Sequence, residues 1–408
     1  MASAWTAPAA VLDCGTGFSK LGFAGNFQPS LVLPTAIALD DAVSKAASKQ
    51  HVLEEHNVHI GQEAVDLALT HSVYYPVRQG VVDNWDQMET YWHHAFSRYL
   101  RLDPGEQPIV LTEPPLNAPE NRELTAEILF ETFNVPSLYI GMQAILALYA
   151  SFICERGDQG KRQTLTGCVV ESGHGVTHII PVVDGFVIGS CIRSIPLAGR
   201  DITLYIQKAL RERGEPIPAH MSLDTARLIK EKHCYVSSDK DKEAARRAAT
   251  KTPLFHEGVD SRTGTHFRCN IGDEAFLGPE LLFSPSAFTQ EWTASLPQVV
   301  DSVIQSCPID ARKPLYSNIV LSGGSTLFKG FAKRLQRDVR RLVDARLGQQ
   351  AGALEVCVRS HSMHKHAAWL GGSLLGGLPS FNSICHTRAA YDEHGPGICR
   401  SNAIFCDA

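Results

Sequence analysis

Apolar residues fall along this chain in short runs broken by glycine. Residues 9–25 read AAVLDCGTGFSKLGFAG, and residues 167–185 read GCVVESGHGVTHIIPVVDG. Each copy has an apolar run, an acidic residue, a small residue, a Gly-x-Gly and a second apolar run. That order predicts strand, tight turn, strand: a β-hairpin whose turn wants glycine for positive φ or close backbone approach. The copies start about 160 residues apart, so the pattern predicts a duplicated α/β domain. A third glycine turn differs. NIVLSGGSTLFKGFAKRLQRDV, residues 318–339, predicts a buried strand Ile319–Leu321, a turn, then a helix. Phe328, Phe331, Leu335, Val339 and Leu342 fall at helical spacing there. Three segments read as surface excursions. Asp40 to Asn57 is polar, Ser237 to Gly264 predicts an exposed helix plus a turn, and Gly348 to Leu354 is a short loop.

Composition narrows the classes. The chain has 408 residues, 44% hydrophobic and 20% charged, with net charge −5. Those values exclude a disordered, collagen-like or coiled-coil chain, and no basic excess points to nucleic acid. The start, MASAWTAPAAVLDCG, lacks a basic segment and a long apolar run, so no signal peptide is expected. The longest apolar stretch, Tyr139 to Cys154, is interrupted by Gln143 and is too short to span a bilayer. Eleven scattered cysteines without a C-x-x-C pair predict free thiols in a reducing compartment, not a disulfide framework or zinc site.

Two Gly-x-Gly hairpins, each preceded by an acid (Asp13 and Glu171), suit a phosphate site. Backbone N–H groups cradle phosphates, the acids hold the water shell of Mg²⁺, and Lys20 neutralises phosphate charge. The strand-to-helix turn at 321–326 adds a third place for an anion to dock. A Walker A pattern and a G-x-G-x-x-G after the first strand are both absent. A P-loop NTPase and a Rossmann dehydrogenase are therefore disfavoured.

With these motifs the chain resembles the actin superfamily nearly end to end. The resemblance is carried by DCGTGFSKLGFAG (13–25), PVRQGVVDNWDQME (76–89), LTEPPLNAPENRE (111–123) and ETFNVPSLYIGMQAILALYAS (131–151). LAGRDIT (197–203), IKEKHCYV (229–236), LSGGST (321–326), WLGGSLL (369–375) and YDEHGPGIC (391–399) extend it. Within the superfamily, SCPIDARKPLYSNIVLSGGST (306–326) and RLQRDVRRLVDARL (334–347) resemble the actin-related proteins.

The resemblance implies an actin-like ATPase fold: duplicated α/β domains, two lobes and four subdomains around a central nucleotide cleft, each lobe on a mixed five-stranded sheet. Subdomain 1 would take residues 1–34, 76–150 and 367–408, and subdomain 2 residues 35–75. Subdomain 3 would take 151–197 and 281–366, and subdomain 4 residues 198–280. The lobe crossings would lie near Tyr149–Ser151 and near His361–Ala368. It further implies ATP and Mg²⁺ as cofactors, with Asp13 and Glu171 acting on the metal through water. Gly15, Thr16, Gly17, Phe18 and Lys20 would hold the β- and γ-phosphates. Gln143 would position the attacking water, and His178 would orient it. Gly173, His174, Gly175 and Val176 would form the second phosphate loop. Arg227, Lys230 and Glu231 would border the adenosine, with Gly323, Gly324, Ser325, Leu327 and Phe328 on its other side and Lys365 at the purine edge.

One loop departs from the pattern. The superfamily usually has D-S-G-D-G at the second loop, and this chain has Glu171-Ser172-Gly173-His174-Gly175. Glu171 is one methylene longer, and Mg²⁺ demands near-ideal octahedral geometry. His174 removes a carboxylate outright. If neutral it cannot replace the lost charge; if protonated it would engage phosphate directly. The favoured expectation is that ATP binds with weakened Mg²⁺ coordination and slow or absent hydrolysis. The alternative is that a protonated His174 compensates and hydrolysis survives.

Other features read blandly. His361, His364 and His366 are expected as polar surface histidines, not metal ligands. The basic run Lys329, Lys333, Arg334, Arg337, Arg340, Arg341 and Arg346 reads as a solvated helix face, with docking of an acidic partner as the second reading. Tyr149, Ala150, Leu370, Leu374 and Leu378 match positions lining a cleft in actins, and the last three fall at i, i+4, i+8 spacing. They read as core or as an exposed partner groove.

The resemblance implies an assembly subunit and no foreign substrate, with at most a slow ATPase serving as a conformational switch. Its partners would be actin-related protein 2 and the other subunits of the actin-related protein 2/3 complex, actin filaments and nucleation-promoting factors. It would work in the cytoplasm on the cytoskeleton, without nucleic acid or membrane insertion. A conventional, self-polymerising actin is the alternative, against which the excursions at 237–264 and 348–354 weigh. A sugar kinase would need a catalytic base and substrate groups that this pattern lacks.

Overall fold

The structure, a computed structural model, describes residues 7–39, 58–68, 70–154, 164–250, 253–288 and 292–400. The Asp40–Asn57 excursion lies outside them. The chain divides into two compact units. The first takes residues 1–169, 182–190 and 361–408, and the second takes 170–181 and 191–360.

The first unit is built on a sheet in the order His386–Thr387, Ser137–Met142, Ile109–Glu113, Ala10–Cys14, Phe18–Phe23, Leu31–Pro34. The three central strands run parallel, and the rest pair antiparallel. Alternation along each central strand serves two cores. Ala10, Leu12, Ile109, Leu111, Leu138 and Ile140 pack with Met88, Tyr91, Trp92 and Phe130 on one face. Val11, Val110 and Tyr139 pack with Leu146 and Trp369 on the other. A sheet buried on both faces needs continuous apolar strands, which is why these runs show no polar alternation. Each large side chain so buried contributes roughly 1.5–3 kcal/mol.

Helices Gln143–Cys154 and Ala367–Gly376 cover the second face. They cross so closely that a Cβ on Gly371 would lie 2.0 Å from the Leu146 carbonyl oxygen. This close crossing decides the Leu370 stripe. Leu370 and Ala150 are fully buried, Tyr149 and Leu374 are half-buried, and only Leu378 is exposed. The stripe is core at Leu370 and Ala150 and reaches the surface through Tyr149 and Leu374 at Leu378.

The second unit is organised on strands Thr177–Val183, Gly167–Ser172, Ile319–Ser322 and Val358–Arg359. Phe186–Val187 and Arg193–Ile195 both pair with Thr177–Val183. Both sheets thus hold six strands, not five, because short two- and three-residue strands add to their edges. Both Gly-x-Gly segments are hairpins, as the pattern predicts.

Helix Phe331–Leu347 begins three residues after Phe328, behind an N-cap Gly330 at φ 90°. Its buried stripe is Phe331, Leu335, Val339 and Val343, so Val343 replaces the expected Leu342. The 237–264 excursion holds helix Lys240–Thr250 and then one strand of a hairpin, Leu254–Val259 against His266–Ile271, where only a turn was expected.

The basic run is also not a bare solvated face. Arg334 donates to Glu280 and to the Ser237 carbonyl, and Arg337 to Asp338. Arg340 donates to the Val356 carbonyl, and Arg346 grips Asp301 with bonds of 2.7 and 3.0 Å. Arg334, Arg340 and Arg346 thus clamp the helix to its own unit, while Lys329, Lys333 and Arg341 stay exposed.

Among the described residues no helix is long and apolar enough to cross a membrane.

Candidate functional site

In the first unit the hairpin turn sits between strands paired Asp13↔Lys20 and Cys14↔Ser19. The turn closes with Gly15 N–H donating to the Phe18 carbonyl at 3.2 Å. Three contacts outside the motif brace it. Thr35 donates its hydroxyl to the Gly15 carbonyl at 2.8 Å and its N–H to the Gly17 carbonyl at 3.1 Å. Gly80 N–H donates to Thr16 Oγ1 at 2.8 Å.

Asp13 is 3% exposed, and both its oxygens are occupied within the unit. Lys20 Nζ lies 3.0 Å from Oδ2. Thr112 Oγ1 and Gln143 Nε2 donate to Oδ1 at 2.6 and 3.0 Å. Burial pushes this carboxyl up, but the Lys20 ammonium and the hydrogen bonds from Thr112, Lys20 and Gln143 outweigh it and hold it below its usual range. Thr112 arrives because Ile109–Glu113 runs parallel to Ala10–Cys14, pairing Leu111 with Leu12. The sequence motif gave no local signal for it, nor for Thr35 or Gly80.

Lys365 is exposed in the turn His364–His366. The histidines there are half-buried, which corrects the surface reading. His361 and His366 are lowered to about 4, chiefly by burial. His364 Nδ1 is bonded to the His361 carbonyl. Among the described residues no group of three His, Cys, Asp or Glu is placed to hold a metal ion.

In the second unit the loop after Ser172 is held as firmly. Gly173 N–H donates to the Val176 carbonyl at 3.2 Å. The Gly173 carbonyl accepts from Ser325 Oγ at 2.6 Å and from Gly199 N–H at 3.1 Å. Arg200 N–H donates to the His174 carbonyl at 2.8 Å. Gly323, at φ 89°, presses on the same loop: a Cβ there would lie 2.3 Å from the Ser172 oxygen. The third glycine turn and the second hairpin therefore form one junction, and only glycine fits at 323.

Arg227 and Lys230 lie on helix Ser222–His233. Lys230 is 8% exposed and donates to the Gly199 carbonyl at 2.8 Å. Its pKa is lowered to about 8, mainly by burial. Arg227 pairs loosely with Glu231 at 3.5 Å and Asp224 at 3.6 Å. Leu327 is 45% exposed beside half-buried Phe328, an apolar surface at the turn.

His174 is held down at about 4 by burial and then by Lys230, Arg200 and Arg227. His178, 6% exposed, is likewise lowered to about 4 by burial.

Within its own unit each half fits a phosphate-bearing ligand by its braced glycine turn, with Lys20 paired to Asp13 in the first and Lys230 bonded to a neutral carbonyl in the second. The second loop brings one acid, Glu171, one methylene longer than an aspartate, and a buried imidazole, His174.

The actin family profile matches residues 5–403. The chain is 49% identical over 413 residues to actin-related protein 3 of Drosophila melanogaster, covering 98% of both chains. It is 48% identical over 411 residues to actin-related protein 3 of Dictyostelium discoideum, covering 98% of this chain and 97% of that one. The protein of the same name from Caenorhabditis elegans is 47% identical over 423 residues, with 99% of each covered. With its glycine hairpins, its braced Asp13 and this similarity along almost its whole length, the chain belongs to the actin family.

Proposed function

We propose that this chain is the ATP-binding actin-related subunit of an actin-related protein 2/3 complex. With actin-related protein 2 it templates branched actin filaments on the cytoplasmic cytoskeleton, under control of nucleation-promoting factors. The observation that carries the reading is near-half identity, over almost the full length, to actin-related protein 3 from three distant organisms. The four-subdomain division given above belongs to the same reading.

Gly15 to Phe18 with Lys20, and Gly173 to Val176, bind phosphate through backbone N–H groups and one ammonium. Arg227, Lys230, Glu231, the 323–328 turn and Lys365 border the nucleoside. Gln143 and His178 are the groups for handling water. Gln143 is held on Asp13 and Thr112, and His178 is neutral, able to accept or donate a proton at one ring nitrogen each. With His174 neutral and Glu171 lengthened, coordination of Mg²⁺ is weak and hydrolysis slow or absent, so nucleotide acts as a conformational switch.

The test is gentle affinity purification of the tagged chain from its own cytosol, with partners identified by mass. A stable assembly containing a second actin-related protein is expected. A free monomer, or actin alone, would overturn the assignment. Phosphate release from that assembly should be slow and should rise when Glu171→Asp and His174→Asp are combined. Ordinary turnover, unchanged by the pair, would sink the hydrolysis claim.

A further inference from the structure

We infer that Thr35 is a positioning residue of the first phosphate loop: it holds two carbonyls of the turn so that the Thr16 and Phe18 N–H groups face the phosphates. This deepens the nucleotide-site reading above and rests on it.

Thr35 belongs to neither strand of the hairpin. It follows strand Leu31–Pro34, which pairs with the hairpin through Phe18↔Pro34 and Ser19↔Leu33. It precedes strand Ile37–Leu39. Its neighbours are anchored on both sides. Tyr91 Oη donates to the Pro34 carbonyl at 3.3 Å, and Gly61 N–H donates to the Ala36 carbonyl at 3.0 Å. Thr35 itself is fully buried.

Thr35 spends both of its donors on the turn. Its hydroxyl donates to the Gly15 carbonyl at 2.8 Å, and its N–H donates to the Gly17 carbonyl at 3.1 Å. With that proton committed, Ser19, also fully buried, is the donor in the 2.9 Å bond to Thr35 Oγ1. One residue therefore holds the carbonyls of both glycines in the Gly-x-Gly.

Peptide geometry gives the consequence. In a planar trans peptide the C=O of one residue and the N–H of the next point in opposite directions. With the Gly15 and Gly17 carbonyls turned toward Thr35, the Thr16 and Phe18 N–H groups are turned away from it. The Thr16 N–H meets no acceptor among the described residues. N–H dipoles fixed in advance bind an anion without the cost of reorganising the loop. Glycines left to turn freely would offer carbonyl oxygens in place of those donors.

Titration of the full chain with ATP and with adenosine, in Mg²⁺ buffer, tests this. Thr35→Val keeps the shape and removes the hydroxyl. It should bind ATP at least ~10-fold more weakly than the parent, while adenosine, which has no phosphate, stays within ~3-fold. Thr35→Ser restores the donor and should bind ATP as the parent does. Melting without nucleotide checks that each variant folds. ATP affinity within ~3-fold of the parent for Thr35→Val would overturn the inference, and so would equal losses for ATP and adenosine, which mark a general loosening of the unit. If Thr35→Val does not fold, amide exchange in the parent decides. ATP should slow exchange at Thr16 and Phe18, and unchanged exchange with ATP bound would overturn the inference. Absence of ATP binding by the parent would overturn the nucleotide reading itself.

Discussion

Thr112 Oγ1 donates a 2.6 Å hydrogen bond to Asp13 Oδ1 across 99 positions of sequence. It serves a carboxylate that is 3% exposed. The parallel pairing of their strands, not any motif, brings the two together.

Thr112→Val keeps the shape of the side chain and removes that donor. A hydrogen bond to a buried charge is worth roughly 1.5–3 kcal/mol, and denaturant unfolding should show a loss of that size. An unchanged unfolding midpoint would show that Lys20 and Gln143 satisfy the carboxylate alone.

Gly371→Ala places a methyl group 2.0 Å from the Leu146 carbonyl oxygen. Backbone cannot yield there without separating helices Gln143–Cys154 and Ala367–Gly376. The cost should reach at least ~3 kcal/mol, the upper end for overpacking, read as a large drop in melting temperature. A near-parental melt would mean that the helices slide apart freely.

Arg122 meets Glu113 in two bonds, of 2.6 and 2.8 Å, with side chains 11% and 4% exposed. Arg122→Ala strands a buried carboxylate and should cost about 3–5 kcal/mol. Replacing both partners by apolar residues, Glu113→Leu with Arg122→Met, should recover most of that loss in the same unfolding assay. Failure to recover would place the effect in the lost Arg122 bond to the Arg400 carbonyl.

His174, His178, His361 and His366 are all held near 4 by burial, against the ordinary 6.5 of a histidine. Lowered in the folded state, they contribute stability that is fully present above about 6.5 and is lost as pH falls toward 4. Asp13, also lowered, acts in the same direction but at lower pH. The urea midpoint should therefore fall between pH 7 and pH 5, and His178→Gln should make that fall shallower. A midpoint that rises on acidification would contradict the buried neutral histidines.

The two glycine hairpins were legible because each is local: glycine positions and flanking apolar runs lie within twenty residues. What braces them was not. Thr35 and Gly80 reach the first turn from loops elsewhere in the unit and Thr112 reaches Asp13 from a neighbouring strand, while Ser325, Gly199 and Arg200 reach the second turn. No local pattern announces such partners. The arginines of Phe331–Leu347 look solvated in sequence because Glu280, Asp301 and the Ser237 carbonyl lie far away in the chain. The Leu370 stripe shows the limit of periodicity. Spacing gives the face of a helix, but not whether that face meets solvent or, as here, another helix.

Trp369 donates its indole N–H to the Val11 carbonyl at 3.1 Å, spanning 358 positions, and Ser373 donates to the Asn26 carbonyl at 2.6 Å. Strand Ala10–Cys14 thus waits for a helix some 358 positions later before its second face is covered. During synthesis Val11 and Val110 are left without Trp369, an apolar surface open to misassociation. Refolding of this unit must close a loop of 358 positions before its core is complete. The tie that secures the first hairpin in the finished molecule thereby makes its formation a late event, and exposes the nascent chain to aggregation until it is made.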